Sequence, residues 1–384
     1  MMKTVRRMNN GVGVTEVRSF EYGDGEIDSK EMMFAISSMV IGAGVLTLPR
    51  LVADATESSD GWVSILIAGA LAILLAWVGA KLASRFPKMN FFTYTGLIAT
   101  KPVAMILTWI VFGYFLVFSA YITRGISLIA KQYLFDETPV EVIALTFMLI
   151  IIYAVAGSRV SLLRLNLLFF PIVLAFIILL LSFSAGLIEL DNLKPIFVTN
   201  WSGIMKGARE TIFSLLGFEI AMFYIFYMNR PQKAPKAVVI GMLLPVVLYV
   251  FVYLIVISVF SVEATIQVMF PTIELAKEIE LPGEFFERLE SLFFVIWIMT
   301  IFNTGSMAFD ICIMQVNSIF KNTKKTTCIW VLSPLIYVVA MIPQDMIEFA
   351  ILGEYLSYAG LVVAGVMPCS LFITAMIRGV KGHG

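Results

Sequence analysis

Apolar residues form long runs over most of the chain, and short polar connections separate these runs. A helix needs about 20 consecutive apolar residues to cross the hydrocarbon core of a bilayer, and runs of this order recur ten times. The ten runs are therefore predicted to be membrane-spanning helices. Their expected limits are residues 30–53, 62–84, 103–134, 140–157, 164–187, 204–228, 237–260, 285–319, 327–343 and 353–377.

The ends of the chain and its connections carry the charge. Residues 1–28 contain no apolar run and are predicted to be a polar cytoplasmic tail, followed by one transmembrane domain over residues 29–384. With the N-terminus in the cytoplasm, the cytoplasmic connections hold 19 of the 27 lysines and arginines, and the opposite connections hold seven. Because basic connections favour the cytoplasmic side, both termini are expected there.

Composition supports a membrane protein and argues against several functions. The chain is 60% hydrophobic with a mean hydropathy of +0.92, whereas an average soluble domain is about 45–50% apolar. The formal net charge is zero, so nothing indicates nucleic-acid binding. The one histidine is His383, and the three cysteines have no metal-binding spacing. We expect an integral membrane protein without cofactor, metal or enzymatic activity.

The first run contains the segment Ile41-Gly-Ala-Gly44 near its centre. Each glycine costs a helix roughly 1 kcal/mol relative to alanine, and broken backbone in a membrane is tolerated only where it is buried in protein or lines a cavity. A helix that ends at Gly42 and restarts after Gly44 would expose N–H groups suited to a carboxylate. The alternative is close packing of small residues against a neighbouring helix.

The sixth run has a second interruption, Leu216-Gly-Phe-Glu219, near its middle. Two halves of five helices, residues 29–187 and 204–377, would have opposite orientations in the membrane. In such inverted repeats the broken helices correspond to each other, and substrate binds between them. The predicted fold is therefore an all-α integral membrane protein with ten transmembrane helices in a 5+5 inverted repeat, with helices one and six broken at mid-membrane.

Two acidic residues, Glu219 and Asp310, fall inside the predicted spans. A carboxylate at the bilayer centre costs at least about 2.5–3.5 kcal/mol, so it should face the bundle interior and have a partner. Three roles are open for Glu219: pairing with a ligand ammonium, proton uptake and release, or bonding to backbone freed by the break. Asp310 is compatible with a gate or with a plain interfacial acid.

Other polar side chains in the spans are candidates for ligand contacts. Thr300, Asn303 and Thr304 lie at i, i+3 and i+4 and share one face of the eighth helix. Two roles are open for them, binding of a ligand or sodium and ordinary contact between helices. Tyr114 on the third helix is a candidate on similar grounds. Arg124 is expected to reach the outer interface or to pair with an acid.

Four short motifs resemble those of a known family. They are Ile27-Asp-Ser-Lys-Glu31, the Gly-Ala-Gly break with Leu48-Pro49, Phe86-Pro-Lys-Met-Asn90, and Leu216-Gly-Phe-Glu219. With ten helices in 384 residues, they resemble the spore germination permease-like family, the B subunits of germinant receptors in endospore-forming bacteria. This family belongs to the amino acid–polyamine–organocation transporter superfamily, which has a leucine-transporter-like fold. The resemblance covers nearly the whole chain from residue 27.

The resemblance implies a germinant receptor subunit that binds an amino acid or similar small nutrient and triggers spore germination. It implies action with an A subunit and a lipoprotein C subunit in the spore inner membrane. The first break would hold the ligand carboxylate, and the second would offer backbone to its ammonium. The predicted ligand-binding residues are Ile41, Gly42, Ala43, Gly44, Leu216, Gly217, Phe218, Glu219, Tyr114, Thr300, Asn303 and Thr304.

A proton- or sodium-coupled amino acid transporter is the competing hypothesis. Proton-coupled members of the superfamily can carry a lysine on helix five, but residues 164–187 contain none. This departure puts coupled transport by that route in doubt. Accumulation of labelled amino acid against its gradient would distinguish the two hypotheses.

Overall fold

The computed structural model describes residues 25–279 and 289–382, which form a bundle of helices. Most of the predicted tail, residues 1–24, and residues 280–288 of the outer connection lie outside the described part. The helices are α1 (Ser29–Thr56), α2 (Gly61–Ser84), α3 (Phe91–Ile98), α4 (Lys101–Tyr133), α5 (Val140–Ala156), α6 (Arg159–Phe183), α7 (Trp201–Ser214), α8 (Ala221–Tyr224), α9 (Ala234–Gln267), α10 (Pro271–Glu278), α11 (Leu289–Ile319), α12 (Lys325–Ala340), α13 (Met346–Leu361) and α14 (Met367–Ile377).

Each predicted run coincides with helical structure, but the lengths differ. Six helical segments in the described ranges are long and apolar enough to cross a membrane, and two bent pairs raise this number to eight. The remaining two, α5 and α12, are apolar but have only 17 and 16 residues. The prediction of an all-α membrane protein is confirmed, with six to eight spans by length and composition.

The first span is bent, where the sequence predicted an interruption. Helical backbone continues through Ser29–Thr56, but the axis turns by 54° between Gly42 and Gly44. Three side chains from distant helices donate to carbonyl oxygens around the turn: Tyr249 to Val40 at 2.9 Å, Trp297 to Gly42 at 2.8 Å, and Thr272 to Val45 at 2.7 Å. Side chains inserted in this way bend a helix without exposing its polar groups.

The second span is broken, as predicted. Helix α7 ends at Ser214, and a second helical stretch, Phe218–Tyr227, continues at an angle of 47°. Gly217 begins this stretch with φ = +124°, a conformation that residues with a Cβ rarely adopt. The glycine therefore allows a positive φ at the junction of the two helical halves.

A buried carboxylate fixes the loop before α7. Asp60 is 2% exposed and accepts hydrogen bonds from the backbone N–H groups of Phe197, Val198 and Thr199 at 2.6, 2.7 and 2.9 Å. Burial alone raises the pKa of Asp60, but the three N–H donors outweigh it and hold the pKa below its ordinary value of 3.8. The turn between α1 and α2 thus holds the α6–α7 connection.

Replacing Asp60 by asparagine should lower the free energy of unfolding by about 1–3 kcal/mol, because the amide oxygen replaces only one of the two accepting oxygens and the amide nitrogen cannot accept from the N–H that faces it. The native pKa is depressed, so the stabilisation is complete above the ordinary pKa and is lost as the pH falls through the native value. Thermal unfolding in detergent from pH 7 to pH 3 measures this effect. Equal pH dependence of the wild type and the variant would contradict it.

Candidate functional site

A cavity of about 780 Å³ lies between α1, α4, α7, α11 and α13. Its floor is buried and adjoins both bends, and its mouth carries charged side chains about 15 Å further along α1. The floor is mainly apolar. The lining residues at the floor are Met39, Val40, Gly44, Tyr114, Phe118, Ile122, Ser214, Leu216, Thr304 and Leu356, and the charged residues of the mouth are Arg50, Asp54, Glu57, Lys206, Arg209, Glu210 and Glu354.

The two bends touch each other at glycines. A Cβ at Gly44 would lie 2.7 Å from the carbonyl oxygen of Ser214, the last residue of α7. A Cβ at Gly217 would lie 2.9 Å from Cγ of Met39 and 3.2 Å from its carbonyl oxygen. The missing side chains let the backbones of the two bent spans approach closely, so the floor contains main-chain polar groups from both.

Tyr249 of α9 supports this contact and is a residue that the sequence did not indicate. Its hydroxyl donates to the carbonyl of Val40 at 2.9 Å and lies 3.4 Å from the carbonyl oxygen of Ser214. The side chain is fully buried. One phenol therefore bridges the two bends. A tyrosine in an apolar helix carries no sequence signal for such a role.

Glu219 bonds to the break itself. Its Oε2 accepts from the backbone N–H of Gly217 at 2.8 Å, and its Oε1 accepts from the hydroxyl of Tyr114 at 2.9 Å. The residue is 2% exposed and is not among the cavity-lining residues, whereas Tyr114 lines the cavity. Of the three roles open in the sequence, this geometry favours the acid that satisfies backbone freed by the break.

Replacing Glu219 by glutamine should preserve ligand affinity within a few-fold, because the amide oxygen can still accept from Gly217 and the hydroxyl of Tyr114 can accept from the amide nitrogen. Leucine at the same position should lower stability by about 1–3 kcal/mol, since it leaves the buried N–H of Gly217 unpaired. Equilibrium binding and thermal unfolding of both variants test this. A loss of affinity in the glutamine variant alone would instead indicate that the charge binds the ligand.

The structure brings four of the predicted site residues to the cavity and leaves the others beside it. Gly44, Tyr114, Leu216 and Thr304 line the cavity. The side chain of Ala43 lies outside the described part of the structure. The remaining predicted residues are not part of the cavity lining: Ile41, Gly42, Gly217, Phe218, Glu219, Thr300 and Asn303.

Thr300 and Asn303 are buried next to α6 and do not line the cavity. One turn further along α11, Met307 contacts Asn166 of α6, with 3.8 Å between its sulfur and Nδ2. Asn303 shares this side of α11. Both of its amide atoms and the hydroxyl of Thr300 are buried, without a hydrogen-bond partner in the described residues.

Arg124 bonds to backbone at the end of a neighbouring helix. Its guanidinium donates to the carbonyl of Gln344, in the connection between α12 and α13, at 3.1 Å. The residue is 4% exposed. The arginine therefore extends from α4 towards the connection at the helix end and does not pair with Glu219.

A polar cluster closes the bundle at the opposite end from the cavity mouth. Asp310 of α11 is fully buried and binds Arg159 of α6, with 3.0 Å between Oδ1 and Nε. The hydroxyl of Tyr224 donates to Oδ2 of Asp310 at 3.2 Å. Nζ of Lys325 lies 3.8 Å from Oδ1. The cluster joins α6, α11, α12 and the second half of the broken span.

The motif at residues 27–31 belongs to the same closed end. The backbone of Ile27 bonds to Tyr227 and Asn229, just after the broken span. Asp28 caps α1, and Glu31 of the first turn binds Arg164 of α6 at 2.8 Å. The first half of α1 and the second half of the broken span are thus tied together.

Two solved transporters are similar in structure to this chain. MhsT in complex with L-phenylalanine matches with a TM-score of 0.70 and 13% identity, over 91% of this chain and 89% of MhsT. Mhp1, a nucleobase-cation-symport-1 family transporter in a closed conformation with bromovinylhydantoin bound, matches with a TM-score of 0.62 and 15% identity, over 93% of this chain and 80% of Mhp1. At such identities the likeness shows a shared fold.

Similar sequences are spore germination proteins of bacilli. Spore germination protein GerLB of Bacillus cereus is 40% identical over 95% of this chain and 98% of its own length. Spore germination protein YndE of Bacillus subtilis is 32% identical, with 92% and 97% covered, and protein B2 of the same species is 28% identical, with 92% and 96% covered. The Spore germination protein family itself matches residues 26–348, so this chain belongs to that family.

Proposed function

We propose that this protein is a germinant receptor subunit that binds an amino acid or a similar small nutrient in the cavity between the two bends. The observation that carries the proposal is the floor, where main-chain groups of both bent spans meet beside an apolar lining. An ammonium suits the carbonyl end of α7, which ends beside the cavity at Ser214, and the apolar lining suits a neutral side chain.

We further propose that all ten helical segments cross the membrane as a 5+5 inverted repeat. The bends at matching positions of the two halves support this arrangement. The basic connections favour a cytoplasmic location for both termini, on the core side of the spore inner membrane. The cavity mouth then faces outward, and the cluster around Asp310 closes the inner end.

Ligand binding would favour one arrangement of the bent spans over another. The inner halves are bonded to residues 27–31, so their movement would change the cytoplasmic surface. We propose that A and C subunits of a receptor detect this change and trigger germination. A proton- or sodium-coupled amino acid transporter is the second candidate, favoured by the fold shared with MhsT.

The test is binding of a panel of labelled amino acids by the purified protein, followed by uptake into vesicles. Saturable binding without concentrative uptake supports the receptor. Accumulation that depends on a proton or sodium gradient supports the transporter. No binding of any amino acid across the panel would overturn the proposed ligand class.

A further inference from the structure

The connection between α6 and α7 exposes an unusual number of large apolar side chains. Six of them within residues 187–201, here named the 187–201 segment, are between 36% and 74% exposed. The segment joins two candidate spans and belongs to neither over residues 188–200. The exposed residues are Leu187, Leu190, Ile196, Phe197, Val198 and Trp201.

The backbone of the segment is held against the bundle. Asp60 accepts from three successive N–H groups, those of residues 197–199. The N–H of Glu189 donates to the carbonyl of Ser258 at 3.0 Å, and the hydroxyl of Ser59 donates to the carbonyl of Leu193 at 2.6 Å. Because the polar groups of the main chain face inward, the apolar side chains remain on the outside.

Two helices place the segment at one boundary of the hydrocarbon core. Leu187 follows Arg164 by 23 residues on the candidate span Arg159–Leu187, which is about 35 Å along a helix. Ser258, which bonds to the segment, follows Lys236 by 22 residues on α9, or about 33 Å. The hydrocarbon core is about 30 Å thick. With the basic residues at one interface, the segment reaches the other.

The exposed surface continues from helices that face lipid. Leu179, Phe183 and Leu187 are exposed at intervals of four residues on one side of the candidate span that contains α6, and Leu190 extends this stripe into the segment. At the other end, Trp201 is 68% exposed on the first residue of α7. Tryptophan is enriched at membrane interfaces, because its ring has an apolar body and one polar N–H.

We propose that the 187–201 segment is an interfacial lipid anchor, whose apolar side chains insert between the headgroups and acyl chains of the outer leaflet. Continuity with the lipid-facing stripe favours phospholipid over a protein partner. Helix α7, which follows the anchor, lines the ligand cavity with one face, while Met205, Ala208 and Ile212 on its other face line an apolar groove of about 160 Å³. The anchor thus ties one wall of the cavity to the bilayer.

The test is a spin label at a cysteine that replaces Phe197, in protein with Cys369→Ser and in phosphatidylcholine–phosphatidylglycerol nanodiscs. Cys312 and Cys328 are buried and remain in place. A label at Leu179 is the lipid reference. A label at Asp191, whose side chain is 92% exposed in the same segment, is the aqueous reference.

We expect the label at position 197 to collide with oxygen, as at position 179, and to be shielded from a water-soluble nickel chelate. Ready collision with the chelate, as at position 191, would place the side chain in water and overturn the proposal. Shielding from both reagents would show cover by protein and would also overturn it. Ile196→Cys gives the same reading if the variant at position 197 does not fold. None of these outcomes depends on which ligand the cavity binds.

Discussion

Replacing Gly44 by leucine is expected to abolish ligand binding in protein that still inserts into the membrane. A Cβ at this position would lie 2.5 Å from the hydroxyl of Tyr249 and 2.7 Å from the carbonyl oxygen of Ser214. No side chain fits unless α1 and α7 separate, and such overpacking costs about 1–3 kcal/mol. Separation moves two walls of the cavity apart, so we expect affinity to fall at least ~100-fold, or about 2.7 kcal/mol.

Equilibrium binding of labelled amino acid measures the effect, with two variants for comparison. Gly113→Leu on α4 is the control, because a Cβ at Gly113 meets nothing within 4 Å. Gly42→Leu is expected to lose less affinity, since its Cβ would approach the side-chain hydroxyl of Thr304 at 2.9 Å, and a side chain can move. Unchanged affinity in Gly44→Leu would place the ligand elsewhere.

The positions of the two bends were predictable from glycine alone. A glycine inside a spanning helix is costly unless the backbone turns there or packs closely against another segment. At Gly44 and Gly217 the backbone does both. The form of the first bend was not predictable. It is a bend in a continuous helix, where Trp297, Tyr249 and Thr272 donate to the carbonyls, and these residues lie more than 200 positions away in sequence.

The roles of the polar residues depended on geometry that a sequence does not contain. Glu219 could be interpreted as a ligand contact, because nothing in the sequence shows that the turn at Gly217 directs its N–H to the carboxylate. The helical spacing placed Thr300, Asn303 and Thr304 on one side of α11, but this side contacts α6 as well as the cavity. Only Thr304 reaches the cavity.

In this conformation the bundle is open at the cavity mouth and closed around Asp310. At the mouth, Asp54, Lys206 and Glu354 are exposed to solvent. At the other end, Asp310 is fully buried among its partners. In the proposed mechanism, opening of this end would separate these partners, so we expect the cluster to set how strongly the form with the open cavity mouth is favoured.

Replacing Asp310 by alanine is accordingly expected to destabilise the protein by about 3–5 kcal/mol, the usual cost of removing one partner from a buried ion pair. Arg159 loses a partner at 3.0 Å, the hydroxyl of Tyr224 loses its acceptor, and Lys325 loses the nearby charge. Asp310→Asn keeps an acceptor for Tyr224 but removes the charge, so its effect should be smaller. Thermal unfolding in detergent gives the order of the variants.

The alkylation rate of a buried cysteine distinguishes a role of this cluster in opening the bundle from a role in packing alone. Asn166 is fully buried and contacts Met307, one turn from Asp310, so a cysteine there is expected to be alkylated faster in the Asp310→Asn protein than in its parent. Asp191→Ala removes an exposed ion pair with Lys194 and should change neither property. If Asp310→Asn lowered stability without exposing position 166, the cluster would hold the fold together without controlling the opening of the inner end.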